Sequence, residues 1–142
     1  MSEPLRVLFI CVGNACRSQM AEALARHHAA DVIVPYSAGI SPLGTIPDGT
    51  RLALLERGIP VGEQHSKGPS EAEIDSSDLI VNMTGIPGTA LFQPGLAIED
   101  WEISDPYGED LAIFRTVRDE IEVKILDLAE RLRARGSAAD SA

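Results

Sequence analysis

Leu5-Arg6-Val7-Leu8-Phe9-Ile10-Cys11-Val12-Gly13-Asn14-Ala15-Cys16-Arg17-Ser18 is the stretch that decides the fold. Within it Val7 to Val12 is a continuous apolar run, so Leu5 to Cys11 reads as a strand buried on both faces. Its last residues open a segment rich in Ala, Met, Glu and Leu that reads as a helix from Arg17 to about Ala30. Strand, short loop and helix therefore follow one another without a linker. Unpaired N–H groups at the start of a helix carry partial positive charge and favour a bound oxyanion or a thiolate. A cysteine at the strand end, Cys11, faces that charge, and Arg17 adds a planar fork able to hold two oxyanion oxygens. Ser18 can donate a hydrogen bond to sulfur. This order suits a cysteine nucleophile attacking a phosphate-like centre, with the loop residues Val12, Gly13, Asn14, Ala15, Cys16, Arg17 and Ser18 as oxyanion binders.

The rest of the chain repeats the alternation. Asp31 to Ser37 reads as a second strand. Pro47 and Asp48 open a helix that stops at Gly58. Ser70 and Glu73 form a capping box ahead of a short helix. Leu79 to Met83 reads as a third strand, and Gly85 to Gly95 as loop with a little helix. Leu96 to Trp101 reads as a fourth strand. From Asp110 to about Arg135, Leu111, Phe114, Val117, Ile121, Ile125, Leu128 and Leu132 step by threes and fours, which marks one core-facing helical stripe. Gly136 is expected to end that helix. Strands alternating with helices predict an α/β fold, a parallel sheet with helices on both faces. One domain is expected over residues 1–136, with 137–142 as a flexible tail.

Ligands of such sheets bind beyond the carboxyl ends of the strands. The Cys11 loop lies at one such end, and Ser104-Asp105-Pro106-Tyr107-Gly108 follows another. Asp105, stiffened by Pro106, is the candidate acid that protonates a leaving alcohol and later activates water. Asn14 tolerates left-handed geometry and reads as a loop-shaping residue. His27, His28 and His65 read as solvated surface residues.

The 142 residues carry a net charge of −10, which argues against nucleic acid and acidic membranes as partners. An anion must then be captured by a local positive focus such as Arg17. The N-terminus has no basic region with a long apolar stretch behind it, and the longest apolar run is far too short to span a bilayer. Two cysteines separated by four residues, from loop to helix, do not form a disulfide scaffold, so a reducing, cytoplasmic setting is expected. No Cys, His and carboxylate cluster has metal-ligand spacing, and no cofactor is expected. Nothing requires more than a monomer.

At these residues the chain resembles the low-molecular-weight protein tyrosine phosphatase family, together with the arsenate reductases that share its fold. The matching segments are Cys11 to Ser18, Ser37-Ala38-Gly39, Arg57-Gly58-Ile59-Pro60, Asp78 to Met83, and Asp105-Pro106-Tyr107-Gly108. The resemblance implies a single phosphatase I-like domain with a four-stranded parallel sheet. It implies Cys11 as nucleophile, Arg17 as oxyanion clamp and Asp105 as general acid, with Tyr107 in support. Asn14, Ser18 and Ser37 would form the hydrogen-bond network that shapes the loop. Cys16 would form a reversible disulfide with Cys11 that protects it from over-oxidation.

Two activities follow from the resemblance. One is hydrolysis of phosphotyrosine or other aryl phosphates through a thiophosphate. The other is arsenate reduction on the same loop. Ser18-Gln19-Met20-Ala21-Glu22 and Gln64-His65-Ser66-Lys67 are similar to the reductase branch. The phosphatases usually carry Pro where Gln19 stands, an aromatic residue in the loop after Gly39, and often a second Tyr where Gly108 stands. The thioredoxin-coupled reductases use two further cysteines near the end of the third strand, and residues 82–90 contain none. A reductase here would draw on an external low-molecular-weight thiol or cycle through Cys11 and Cys16 alone. The expected partners are therefore a phosphorylated substrate or a small oxyanion (phosphate or arsenate), with a thiol reductant in the second case.

Overall fold

Alternate residues of the first strand, β1 (Leu5–Cys11), enter two different cores. Val7, Phe9 and Cys11 join the larger cluster, while Leu8 and Ile10 join the smaller one on the opposite face. This is why its apolar run is unbroken: the strand is central and covered on both sides. Phe9 is fully buried, and truncating it to Ala costs about 3–5 kcal/mol by the usual core penalty.

The computed structural model describes residues 3–141, with the side chains of 71, 72 and 137–141 outside the described part. After β1 come α1 (Arg17–His28), β2 (Ile33–Gly39), α2 (Asp48–Leu55), α3 (Glu71–Ser76), β3 (Leu79–Asn82), α4 (Gly88–Leu91), β4 (Ile98–Asp100) and α5 (Leu111–Ser141). The sheet is four-stranded and wholly parallel, in the order β2-β1-β3-β4. The α/β fold with its four-stranded parallel sheet is as the alternation predicts. The chain steps from β1 to one side for β2 and to the other for β3. That reversal opens a crevice at the carboxyl end of β1, where the Cys11 loop begins.

The α5 stripe packs as its spacing predicts. Phe114, Val117, Ile121, Ile125, Leu128 and Leu132 are buried in the larger core with α1 and α2, and Leu111 packs against it half-buried. The opposite face holds Ala38 and Ile80, with Ile74 of α3 and Phe92 after α4 against them. The α3 capping box is formed: Ser70 Oγ accepts from Glu73 N–H and Glu73 Oε2 accepts from Ser70 N–H.

Several boundaries differ from expectation. β2 begins at Ile33 because the N–H groups of Val32 and Ile33 both bond the Ala29 carbonyl and close α1. It runs on to Gly39 because the parallel register pairs Gly39 with Cys11. β4 is confined to Ile98–Asp100. The backbone of α5 continues through Gly136. A glycine stops a helix by turning to positive φ, and Gly136 is not among the glycines that do so. In helical geometry a glycine costs only about 1 kcal/mol relative to Ala. The expected tail falls on 137–142, whose side chains lie outside the described residues.

Candidate active site

The loop between β1 and α1 turns its carbonyls outward and ties down each of them. The Cys11, Val12 and Gly13 carbonyls accept from the N–H groups of Ile40 (3.1 Å), Ser41 (2.8 Å) and Leu43 (2.9 Å). Ser66 Oγ also donates to the Gly13 carbonyl. Gln19 Nε2 donates to the Asn14 carbonyl, Thr50 Oγ1 to that of Ala15, and Met20 N–H to that of Cys16. With six carbonyls engaged in this way, the N–H groups of residues 12–16 take no backbone acceptor among the described residues. This is an anion cradle at a helix N-terminus. Asn14 makes the curvature possible: it is the only non-glycine with positive φ among the described residues, at 47°.

Cys11 sits at the floor of the cradle with Sγ 2.9 Å from Ser18 Oγ. Asn14 Nδ2 donates to the same Ser18 oxygen at 2.7 Å. The serine oxygen is thereby used as an acceptor, and its own proton is available to the Cys11 sulfur.

Arg17 is 5 % exposed, and its guanidinium is oriented by fixed backbone groups. Nη1 donates to the Met83 carbonyl at 2.5 Å and to the Ile103 carbonyl at 3.1 Å, which sit just past the ends of β3 and β4. Nη2 lies 3.6 Å from Asp105 Oδ2. Nε is the only buried side-chain nitrogen or oxygen without a partner among the described residues. A buried charged donor left unpaired is costly, so an acceptor is expected there.

Asp105 is held from the other side, where the Tyr107 N–H donates to Oδ1 at 3.1 Å. Cys11, Val12, Gly13, Ala15, Cys16, Arg17, Asp105 and Tyr107 surround one cavity of about 170 Å³, with Ser41 and Leu43 at its wall. Segments nearly ninety residues apart thus meet over one thiol. Larger grooves of about 380, 560 and 700 Å³ contain no cysteine. Tyr107 is exposed, as is Leu43, so the mouth has one aromatic and one aliphatic flank.

Ser37 stands one step away from this network. Its hydroxyl donates to Glu22 Oε1 and accepts from Lys67 Nζ at 3.4 Å, with no hydrogen bond to Asn14 or Ser18 among the described residues. The Lys67 main chain makes the link instead, through its N–H to Asn14 Oδ1 and its carbonyl to Gly39 N–H. Burial pushes the Cys16 thiol up to about 11, with the neighbouring Thr50 hydroxyl opposing. Cys16 is therefore protonated at neutral pH. His27 and His65 are exposed, whereas half-buried His28 pairs with Glu122 at 2.9 Å. Among the described residues, no three His, Cys, Asp or Glu side chains gather as a metal site. No helix is long and apolar enough to cross a membrane.

The profile of the low molecular weight phosphotyrosine protein phosphatases matches residues 6–138. The chain belongs to that family. Among its relatives, a glutaredoxin arsenate reductase of Synechocystis sp. is 32% identical over 132 residues, covering 89% of this chain and 98% of the relative. An arsenate reductase solved in the phosphate-binding state superposes with a TM-score of 0.80 at 28% identity, covering 90% of this chain and 98% of that one. The YwlE arginine phosphatase from Geobacillus stearothermophilus gives 0.78 at 30% identity, covering 93% and 95%. The low molecular weight phosphatase fold thus carries both phosphatase and reductase names among proteins about equally similar to this chain.

Sequence reasoning overlooked Thr50 and the main chain of 40–43, and it gave Gln64 and Ser66 no part in the site. Thr50 stands two residues into α2 with no sequence mark of its own. Ser66 and Lys67 lie in a polar stretch whose only signal was its likeness to the reductase branch.

Proposed function

We propose that this chain is a cysteine-dependent phosphatase that hydrolyses aryl phosphate monoesters, phosphotyrosine among them. The observation that carries the reading is the convergence of Cys11, Arg17 and Asp105 on one cavity whose wall is a ring of free N–H groups. The thiolate attacks phosphorus in line. The equatorial oxygens take the loop N–H groups and the unpartnered Arg17 Nε, donors aimed where charge accumulates in the transition state. Asp105 protonates the departing phenolate oxygen as the P–O bond breaks. Water, deprotonated by Asp105, then displaces sulfur from phosphorus and releases inorganic phosphate.

Arsenate reduction is the second reading, supported by the 32% identical relative. Cys11 would displace hydroxide from arsenate to form an S–As bond. An external thiol attacking the Cys11 sulfur would take the S–As electron pair to arsenic, releasing arsenite and leaving a mixed disulfide. A second equivalent of thiol would restore Cys11. The chain has only Cys11 and Cys16, so it carries no internal relay beyond that pair.

Turnover of p-nitrophenyl phosphate by the reduced protein, beside Cys11→Ser, tests the first reading. Thiol-dependent arsenite formation tests the second. Brisk phosphate release abolished in Cys11→Ser supports the phosphatase. Absent phosphate release with thiol-dependent arsenite supports the reductase.

A further inference from the structure

We propose that Gln19 and Gln64 are positioning residues for Cys11: two linked amides carry a fixed hydrogen-bond polarity to Ser18, so that its proton points at the Cys11 sulfur. The proposal rests on the reading of Cys11 as the nucleophile.

The polarity follows from partners that have only one hydrogen-bonding role. Arg26 can only donate, and its Nη1 lies 2.8 Å from Gln64 Oε1. Gln64 Nε2 is then the donor to Gln19 Oε1 at 2.7 Å and to the Gln19 carbonyl at 3.1 Å. Gln19 Nε2 faces three acceptors: Asn14 Oδ1 (2.9 Å) and the carbonyls of Asn14 (3.0 Å) and His65 (2.9 Å). Two of these are backbone carbonyls, which cannot donate. At the far end the Lys67 N–H donates to Asn14 Oδ1 as well. Asn14 Nδ2 is thereby left for Ser18 Oγ, and the Ser18 hydrogen for Cys11 Sγ.

Gln19, Asn14 and Ser18 are all 0 % exposed, so bulk solvent does not compete for these bonds. Reversing one amide would set oxygen against oxygen at the next, which a buried network resists. Gln19 also grips the carbonyl of Asn14, the residue in left-handed geometry, and ties it to the 64–67 segment. Its length reaches all three acceptors. A proline at that position, as phosphatases usually carry, could make none of these bonds.

The test is the ultraviolet thiolate absorbance of the reduced protein at neutral pH, which needs no substrate. The buried Cys16, with its thiol up at about 11, is silent there. Gln64→Leu should lower the Cys11 thiolate signal about threefold, the scale of a weakened hydrogen bond. Gln64→Glu keeps the Arg26 contact but sets an acceptor against Gln19 Oε1, so it should lower the signal further. In a Ser18→Ala background Gln64→Leu should add nothing, since the relay then ends short of the sulfur. Half-buried Gln64 sits at the edge of the network, so its variants should fold even if Gln19→Met does not; melting curves check this. A wild-type signal in folded Gln64→Leu and Gln64→Glu, or an undiminished Gln64→Leu effect without Ser18, overturns the proposal, as does the lack of any thiolate in the wild type. A thiolate that responds as described in a protein without phosphatase turnover would sink only the functional reading.

Discussion

Gly39 packs backbone to backbone against Asn14: a Cβ on Gly39 would lie 2.6 Å from the Asn14 nitrogen, with the Val12 carbonyl oxygen at 2.7 Å. The end of β2 is thus the buttress of the anion cradle, and only a residue without a side chain fits there. The neighbours are main-chain atoms that cannot rotate aside.

Gly39→Ala should therefore push Asn14 out of its left-handed conformation and lower stability by about 1–3 kcal/mol, the usual cost of overpacking. Phosphate should also stop raising the melting temperature, because the N–H ring no longer converges. Thermal denaturation with and without phosphate reads both effects. A variant that melts and binds like the wild type would refute the buttress.

Arg17 serves two masters, the Met83 and Ile103 carbonyls on Nη1 and the cavity on Nε. A lysine has one ammonium and cannot do both. Arg17→Lys should keep the net charge and lose about 10²–10³-fold in kcat on aryl phosphates, the typical loss when an oxyanion donor is removed. Inhibition by inorganic phosphate should weaken in parallel. Near-normal turnover by the lysine variant would show that charge alone suffices and that the fork geometry is idle.

Much of this arrangement is legible in the sequence, and the illegible part has a physical cause. The run Val7 to Ile10 and the stripe from Leu111 to Leu132 declare buried surfaces, because burial selects residue type. Cys11, Arg17 and Asp105 declare chemistry for the same reason. The ties from Ile40, Ser41 and Leu43 to the loop use main-chain N–H groups, which every residue but proline has, so no side chain announces them. Ser37 falls between the two cases: its hydroxyl is buried and bonded, but to Glu22 and Lys67, a choice made by the packing of α1 beside β2. The end of β2 at Gly39 is set by its pairing with Cys11, a register that lies in no local pattern.

Asp105 is presented by the Tyr107 N–H on Oδ1, and its Oδ2 faces Arg17 Nη2. Asp105→Asn keeps that shape and cannot release a proton. If it is the acid, cleavage of a phenyl phosphate should slow by roughly 10²–10⁴-fold. The loss should shrink for p-nitrophenyl phosphate, whose leaving group needs less help. Steady-state kcat for the two esters decides the matter, and equal losses on both would assign Asp105 a purely structural role.

Cys16 offers a prediction in pH. Its thiol is 3 % exposed and raised from 9.0 to about 11, so the folded chain keeps the proton that the unfolded chain releases first. Stability from this group is present in full below pH 9 and is lost as the pH climbs towards 11. The loss should reach about 2 kcal/mol. Urea midpoints at pH 8 and pH 10.5 should move apart in the wild type and draw together in Cys16→Ala. The same ionisation governs chemistry at Cys11: if Cys16 closes a disulfide on an oxidised Cys11, the attacking species is the Cys16 thiolate, and closure should quicken about tenfold per pH unit through the neutral range. Following the loss of sulfenic acid after a peroxide pulse at pH 6.5, 7.5 and 8.5 measures this. A flat rate would mean that Cys16 is not the attacking group.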